Sequence, residues 1–166
     1  YWNINSTTES EHLSEQAINL ILPNLENAVN SPDNVSREKL SQGSYLAGKA
    51  INLTKTTAPH ALSYPLTLFF GIPHGHAVSL TLSSFLEYNY NTQESNLNDP
   101  RGMEFLIKKM NKLIKLLNSS SINEAKNNIN QLIKSLGLHT TLKPLGISST
   151  SDIKKIVDNI NFQRLS

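Results

Sequence analysis

Two histidines decide what chemistry this chain can carry. His60 stands in Ala58-Pro59-His60-Ala61-Leu62-Ser63-Tyr64, and His74 follows fourteen residues later in Gly71-Ile72-Pro73-His74-Gly75-His76-Ala77-Val78. A neutral imidazole is the commonest nitrogen ligand for a divalent metal. His60 falls in a short run with helical character. His74 comes just after a Gly-Ile-Pro break, where a new helix is expected to begin. Two separate backbone segments can therefore bring two nitrogens to one ion. Such an ion still lacks ligands, because catalytic metal sites commonly use three or more protein donors and keep one position open.

The neighbouring residues divide by helical geometry. Tyr64 lies four residues after His60, so both share one helical face and Tyr64 is expected to face the same cleft. A phenol with a pKa of about 10 is a weak proton relay at neutral pH. Its role is therefore a hydrogen bond to substrate or simple filling of the pocket. His76 lies two residues from His74 and points elsewhere on a helix. Its alternatives are the cleft wall, support for a ligand, or the surface. His12 and His139 have no ligand-like context and are expected in solvent.

The positioning elements read as helices throughout. Thr8-Glu9-Ser10-Glu11 has the form of a capping box, followed by Leu13, Ala17, Leu20, Ile21 and Leu25 at helical spacing. After the turn Ser31-Pro32-Asp33-Asn34, a second helix is expected from near Ser36. Gly43, Ala47, Gly48 and Ala50 on it permit close helix packing. Each glycine costs roughly 1 kcal/mol relative to alanine; close approach is one reason for carrying that cost, and simple tolerance is the other. The segment from His60 to Leu68 is expected to be a short helix interrupted at Pro65. The next helix starts near His74 and is apolar on more than one side through Leu80, Leu82, Phe85 and Leu86. Asn89 to Asn98 reads as a polar loop.

Asp99-Pro100 gives an N-cap followed by proline at the first helical position. Phe105, Leu106, Met110, Leu113, Ile114 and Leu117 form the stripe behind it. Ser121 and Glu124 form a further capping box, and Gly137 ends that helix. Ser151-Asp152 opens a last helix through Ile153, Ile156, Val157 and Ile160. Lys108, Lys109, Lys112 and Lys115 have the spacing of a solvated helix face.

These segments carry a family resemblance. A histidine followed fourteen positions later by the histidine of a Pro-His-Gly resembles the metal signature of the iron-containing (group III) alcohol dehydrogenases, and Tyr45-Leu46-Ala47-Gly48-Lys49-Ala50 resembles the helix ahead of it. Tyr1-Trp2-Asn3-Ile4-Asn5 and Thr56-Thr57-Ala58-Pro59-His60-Ala61 look most like the phosphonoacetaldehyde reductase subgroup, whose members make 2-hydroxyethylphosphonate. The resemblance implies an all-α helical bundle over residues 1–166. This would be the C-terminal domain of the dehydroquinate synthase/iron-alcohol-dehydrogenase-like fold. It implies that His60 and His74 hold Fe(II), or another divalent metal such as Zn(II). NAD or NADP would be held by an N-terminal nucleotide-binding domain, and no Gly-x-Gly-x-x-Gly of that kind occurs here. The family also takes an Asp and usually another His from a helix expected just before Tyr1. The 166 residues alone are thus expected to bind metal weakly and to catalyse nothing.

Many family members carry a second histidine where Tyr64 stands, so an acid–base role is not transferred to that position. The substrate implied is a small aldehyde or alcohol. A phosphonate needs a cation, and Lys55, five residues before His60, is the candidate ahead of Lys49. A homodimer and a cytoplasmic setting are further family expectations. An alcohol dehydrogenase for ordinary alcohols or diols is the second reading. Dehydroquinate synthases share a form of His74-Gly75-His76-Ala77-Val78 but normally have Glu where His76 stands. A non-enzymatic helical interaction domain is the reading from another class.

Composition excludes more than it identifies. Fifteen basic and thirteen acidic side chains leave a net charge of +2, too balanced to point to nucleic acid or a membrane surface. Cysteine is absent, which removes disulfides, thiol catalysis and zinc–thiolate sites. No stretch approaches the ~20 apolar residues of a membrane span.

Overall fold

Short polar side chains set where the first two helices begin. The computed structural model describes residues 1–160, all of them helix, turn or loop, with no strand among the described residues. Helix α1 runs Thr8–Asn30 and α2 runs Asn34–Thr54. The box of α1 is one residue earlier than expected: Thr7 is the N-cap, its hydroxyl accepting from the Ser10 N–H, and Ser10 reciprocates. Glu11, freed from capping, turns to Ser6 and Lys109 instead. Asp33 and Ser36 cap α2 in the same reciprocal way. The short turn between them folds α1 and α2 into a helical hairpin.

Gly43 sits where that hairpin is tightest. A Cβ there would stand 2.6 Å from Ile21 Cγ1 and 3.3 Å from the Ala17 carbonyl, whereas one at Gly48 would meet nothing within 4 Å. The expectation of close packing therefore holds at Gly43 and fails at Gly48. Gly43→Ala should cost about 1–3 kcal/mol by overpacking, while Gly48→Ala should gain up to about 1 kcal/mol from helix propensity. Urea denaturation of the two variants checks the contrast, and equal midpoints would refute it.

Helix α3, Ala58–Phe70, carries Pro59 in its first turn and ends at Gly71, which adopts φ +67°. Pro65 does not interrupt it, contrary to expectation. The proline removes one N–H, but it is buried and α3 continues through it to Phe70. Helix α4, His74–Tyr90, begins at the histidine as expected. Helices α5, Met103–Leu116, α6, Ile122–Ser135, and α7, Thr150–Val157, follow. The stop at Gly137 is met, with φ +75° just past the end of α6.

Two further starts and one end differ from the sequence reading. Asp99 does not cap α5. Its carboxylate takes the Arg101 guanidinium at 2.7 Å, and the helix starts after Gly102 instead. The cap of α7 is Ser149, boxed with Asp152. Ile160 lies beyond the end of that helix.

Helix α4 is shared between two cores. Its Leu86 joins Met110, Leu113, Ile114, Ala125, Ile129 and Ile133 of α5 and α6. Its Ala77 joins Leu66 of α3, Ile72, Ile147 and Ile156 of α7. That explains why its apolar residues occupy more than one side.

Residues 1–6 are strapped onto α5. Arg101 donates to the Ser6 and Asn3 carbonyls at 2.7 and 3.3 Å. Lys109 pairs with Glu11 at 2.6 Å and also donates to Ser6. Lys109 is 5% exposed, so it leaves the solvated face on which its spacing had placed it. Lys108, Lys112 and Lys115 remain there. No helix among the described residues is long and apolar enough to cross a membrane.

Candidate metal site

The site is built at the junction of α3 and α4. Pro59 fixes the entry to α3 and so sets His60 in its first turn. Pro73 holds an extended backbone immediately before α4, so His74 becomes the first residue of that helix. Gly71 makes the left-handed turn that the connection needs. Trp2 also anchors this region: its indole N–H donates to Thr57 Oγ1 at 3.0 Å, next to the start of α3.

The structure brings the two sequence-predicted histidines together. Their ring centroids lie 5.5 Å apart with planes tilted by 57°. Two imidazoles bound at about 2.1 Å to one ion hold their centroids roughly 5 Å apart, close to the separation of this pair. Burial, and then the neighbouring His74 ring, push the His60 pKa below its ordinary value. Both causes favour the neutral imidazole, the form that binds metal. Among the described residues no group of three or more His, Asp or Glu side chains gathers here or elsewhere.

Tyr64 lies on the same face of α3, its ring centroid 5.9 Å from that of His74. Lys55 is the C-cap of α2 and exposed, with φ +67° and ψ −173°. Lys49 lies 5.8 Å from the centre of the Tyr45 ring.

His76 belongs to the interior, not the surface. It is 8% exposed, and its Nε2 lies 2.7 Å from the His139 carbonyl. A carbonyl only accepts, so Nε2 carries the hydrogen. His76 also borders a mostly apolar cavity of about 630 Å³ walled by α1, α4, α5 and α6. His12 and the side chain of His139 are exposed, as expected.

Sequence reasoning missed Ser63. It is fully buried; its hydroxyl donates to the His60 carbonyl at 2.7 Å, and its Oγ lies 3.1 Å from His74 Nδ1. The available signal was its place three residues after His60, from which a serine hydroxyl reaches a preceding carbonyl.

Comparison with known proteins places the chain in a family. Residues 1–165 match the Fe-containing alcohol dehydrogenase family, C-terminal. A phosphonoacetaldehyde reductase of Streptomyces viridochromogenes is 39% identical over 102 residues, 61% of this chain and 26% of that protein. A long-chain-alcohol dehydrogenase of Geobacillus thermodenitrificans is 37% identical over 89 residues, 53% of this chain and 22% of that protein. The sulfoacetaldehyde reductase of Bifidobacterium kashiwanohense, solved with NAD+, superposes with a TM-score of 0.80 at 28% identity. That match covers 99% of this chain and 40% of the reductase. The chain thus spans about a quarter of the length of the relatives it matches in sequence and two fifths of that structure.

Proposed function

Because the chain belongs to the Fe-containing alcohol dehydrogenase family, we propose that it is the metal-binding helical part of an NAD(P)-linked aldehyde reductase acting on phosphonoacetaldehyde. The observation that carries the proposal is the convergence of His60 and His74 from α3 and α4 at a separation that suits one cation. Further protein ligands, and the nucleotide site, would come from outside residues 1–166. A cytoplasmic setting and a homodimer belong to the same reading.

A divalent cation such as Fe(II) or Zn(II) supplies Lewis acidity toward a carbonyl oxygen when bound, and a reduced nicotinamide supplies the hydride. His60 and His74 would hold the cation. Tyr64, its ring beside that of His74, would offer a phenol to hydrogen-bond an aldehyde or alcohol oxygen. Lys55 would meet the phosphonate.

The backbone of Lys55 supports a use for its side chain. Its φ and ψ fall where glycine is nearly the sole occupant, at a cost of order 1–3 kcal/mol. Lys55→Gly should therefore raise stability by about 1 kcal/mol. Lys55→Met keeps the strain and removes the charge. It should raise KM for phosphonoacetaldehyde roughly tenfold, the worth of one charge-assisted hydrogen bond, and leave KM for an uncharged aldehyde nearly unchanged. Equal effects on both substrates would remove Lys55 from the phosphonate site.

The test of the whole reading is metal content together with NAD(P)H-dependent reduction of phosphonoacetaldehyde by the full-length protein. A metal-bound enzyme that ignores this substrate but reduces ordinary aldehydes would favour the second reading, an alcohol or diol dehydrogenase. The 37% identical 1,3-propanediol dehydrogenase of Citrobacter freundii, matched over 75 residues, supports that alternative.

A further inference from the structure

One buried hydroxyl touches both histidines. Ser63 Oγ–H donates to the His60 carbonyl at 2.7 Å, and the same oxygen lies 3.1 Å from His74 Nδ1. A serine hydroxyl has one hydrogen and two lone pairs. With its hydrogen given to a carbonyl, Oγ can only accept from the ring. Nδ1 of His74 must then carry the hydrogen, and in the neutral ring Nε2 keeps its lone pair. Which nitrogen of a histidine binds metal is set by the bond the other nitrogen makes.

We infer that Ser63 is a positioning residue that holds His74 in its Nδ1–H tautomer, leaving Nε2 as the ligating nitrogen, and that ties this ring to the turn of α3 carrying His60. The inference rests on the metal reading above and adds to it the side chain that selects the ligand atom. Ser63 suits the task because it is fully buried. No water competes for its two bonds, so the alternatives are a paired hydroxyl or a costly unpaired one. Its place on α3 and its partner at the start of α4 make the relative setting of the two helices part of the same contact. Without the hydroxyl, the proton is free to occupy Nε2, the atom a metal needs.

The experiment is long-range ¹⁵N–¹H correlation of the histidine rings in the metal-free full-length protein, followed by Zn(II) and Co(II) affinity from chelator competition. His74→Ala identifies the His74 signals. The expected result is an Nδ1–H pattern for His74 in the native protein and a shift toward Nε2–H in Ser63→Ala. Zn(II) affinity in Ser63→Ala should fall about 10–100-fold, the usual loss when such a support is removed. Ser63→Thr, which keeps the hydroxyl, should recover most of the affinity where it folds. An Nε2–H pattern in the native protein overturns the inference without any variant being needed, as does an unchanged tautomer in a folded Ser63→Ala. Zn(II) affinity unchanged in His74→Ala would defeat the metal reading itself and the ligating role with it. That outcome is distinct, because the tautomer is read before any metal is added.

Discussion

His74→Ala in the full-length protein should cut divalent-metal affinity by more than about a hundredfold and aldehyde reduction by about a thousandfold, with almost no change in stability. A thousandfold in rate is about 4 kcal/mol of lost transition-state stabilisation, well within what one bound cation contributes at a developing oxyanion. The small stability change follows from position. His74 is exposed at the first residue of α4, where its N–H needs no helical partner and alanine is well tolerated. Ser63 keeps its bond to the His60 carbonyl in the variant, so no buried hydroxyl is stranded.

His76→Ala supplies the opposite signature. That ring is buried and bonded to the His139 carbonyl, and its loss leaves that carbonyl without this donor. A cost of about 1–3 kcal/mol in folding is expected, with metal affinity kept. Metal content and urea midpoints measured on both variants separate the two histidines. Loss of metal in His76→Ala with retention in His74→Ala would overturn the assignment.

That contrast shows how far the sequence could be read. His60 and His74 were legible because the cues are local: a proline at each helix entry, a left-handed glycine between, and a fixed spacing. The start of α4 at His74 followed from the same cues. The separate settings of His74, exposed, and His76, buried, were only half legible. A helix turns by about 100° per residue, which says that the two point apart but not which one meets the core.

Other residues were misread because their partners are distant in the chain. Asp99 has every local mark of an N-cap, yet it accepts from Arg101, which in turn holds the Asn3 and Ser6 carbonyls almost a hundred residues away. Pro65 looks like a helix break from its neighbours alone, yet it is buried beside Leu66, which joins the cluster of Ile72, Ala77, Ile147 and Ile156. The capping box of α1 slipped by one because Thr7 and Thr8 are both acceptable caps. The ion pair of Glu11 with Lys109 favours the register that leaves Glu11 free.

Lys109 is where this long-range pairing has its largest expected effect. Lys109→Met keeps the aliphatic stem and removes the ammonium that meets Glu11 and Ser6 and lies 4.6 Å from the Phe105 ring centre. Burial pushes the Lys109 pKa below its ordinary value, and Glu11 pulls it back. The pair is therefore a compensated cost rather than a simple gain. Removing one partner leaves the other uncompensated, and a loss of about 3 kcal/mol is expected. Removing both should cost less than the sum: Lys109→Met with Glu11→Gln should recover 1 kcal/mol or more of the additive penalty.

The chain's single tryptophan reports where the damage goes. Trp2 belongs to the strap that Lys109 and Arg101 hold, and its indole reaches Thr57 at the entry to α3. If the strap loosens first, Trp2 emission should shift to longer wavelength in Lys109→Met at urea concentrations where helical circular dichroism is still native. Coincident transitions would instead mean that strap and helices unfold together. In that case the clamp stabilises the whole fold and does not act separately on the segment that anchors the entry to α3. Arg101 would still be there to hold the two carbonyls, so a modest shift in Lys109→Met and a larger one in Arg101→Ala with Lys109→Met is the ordering this clamp requires.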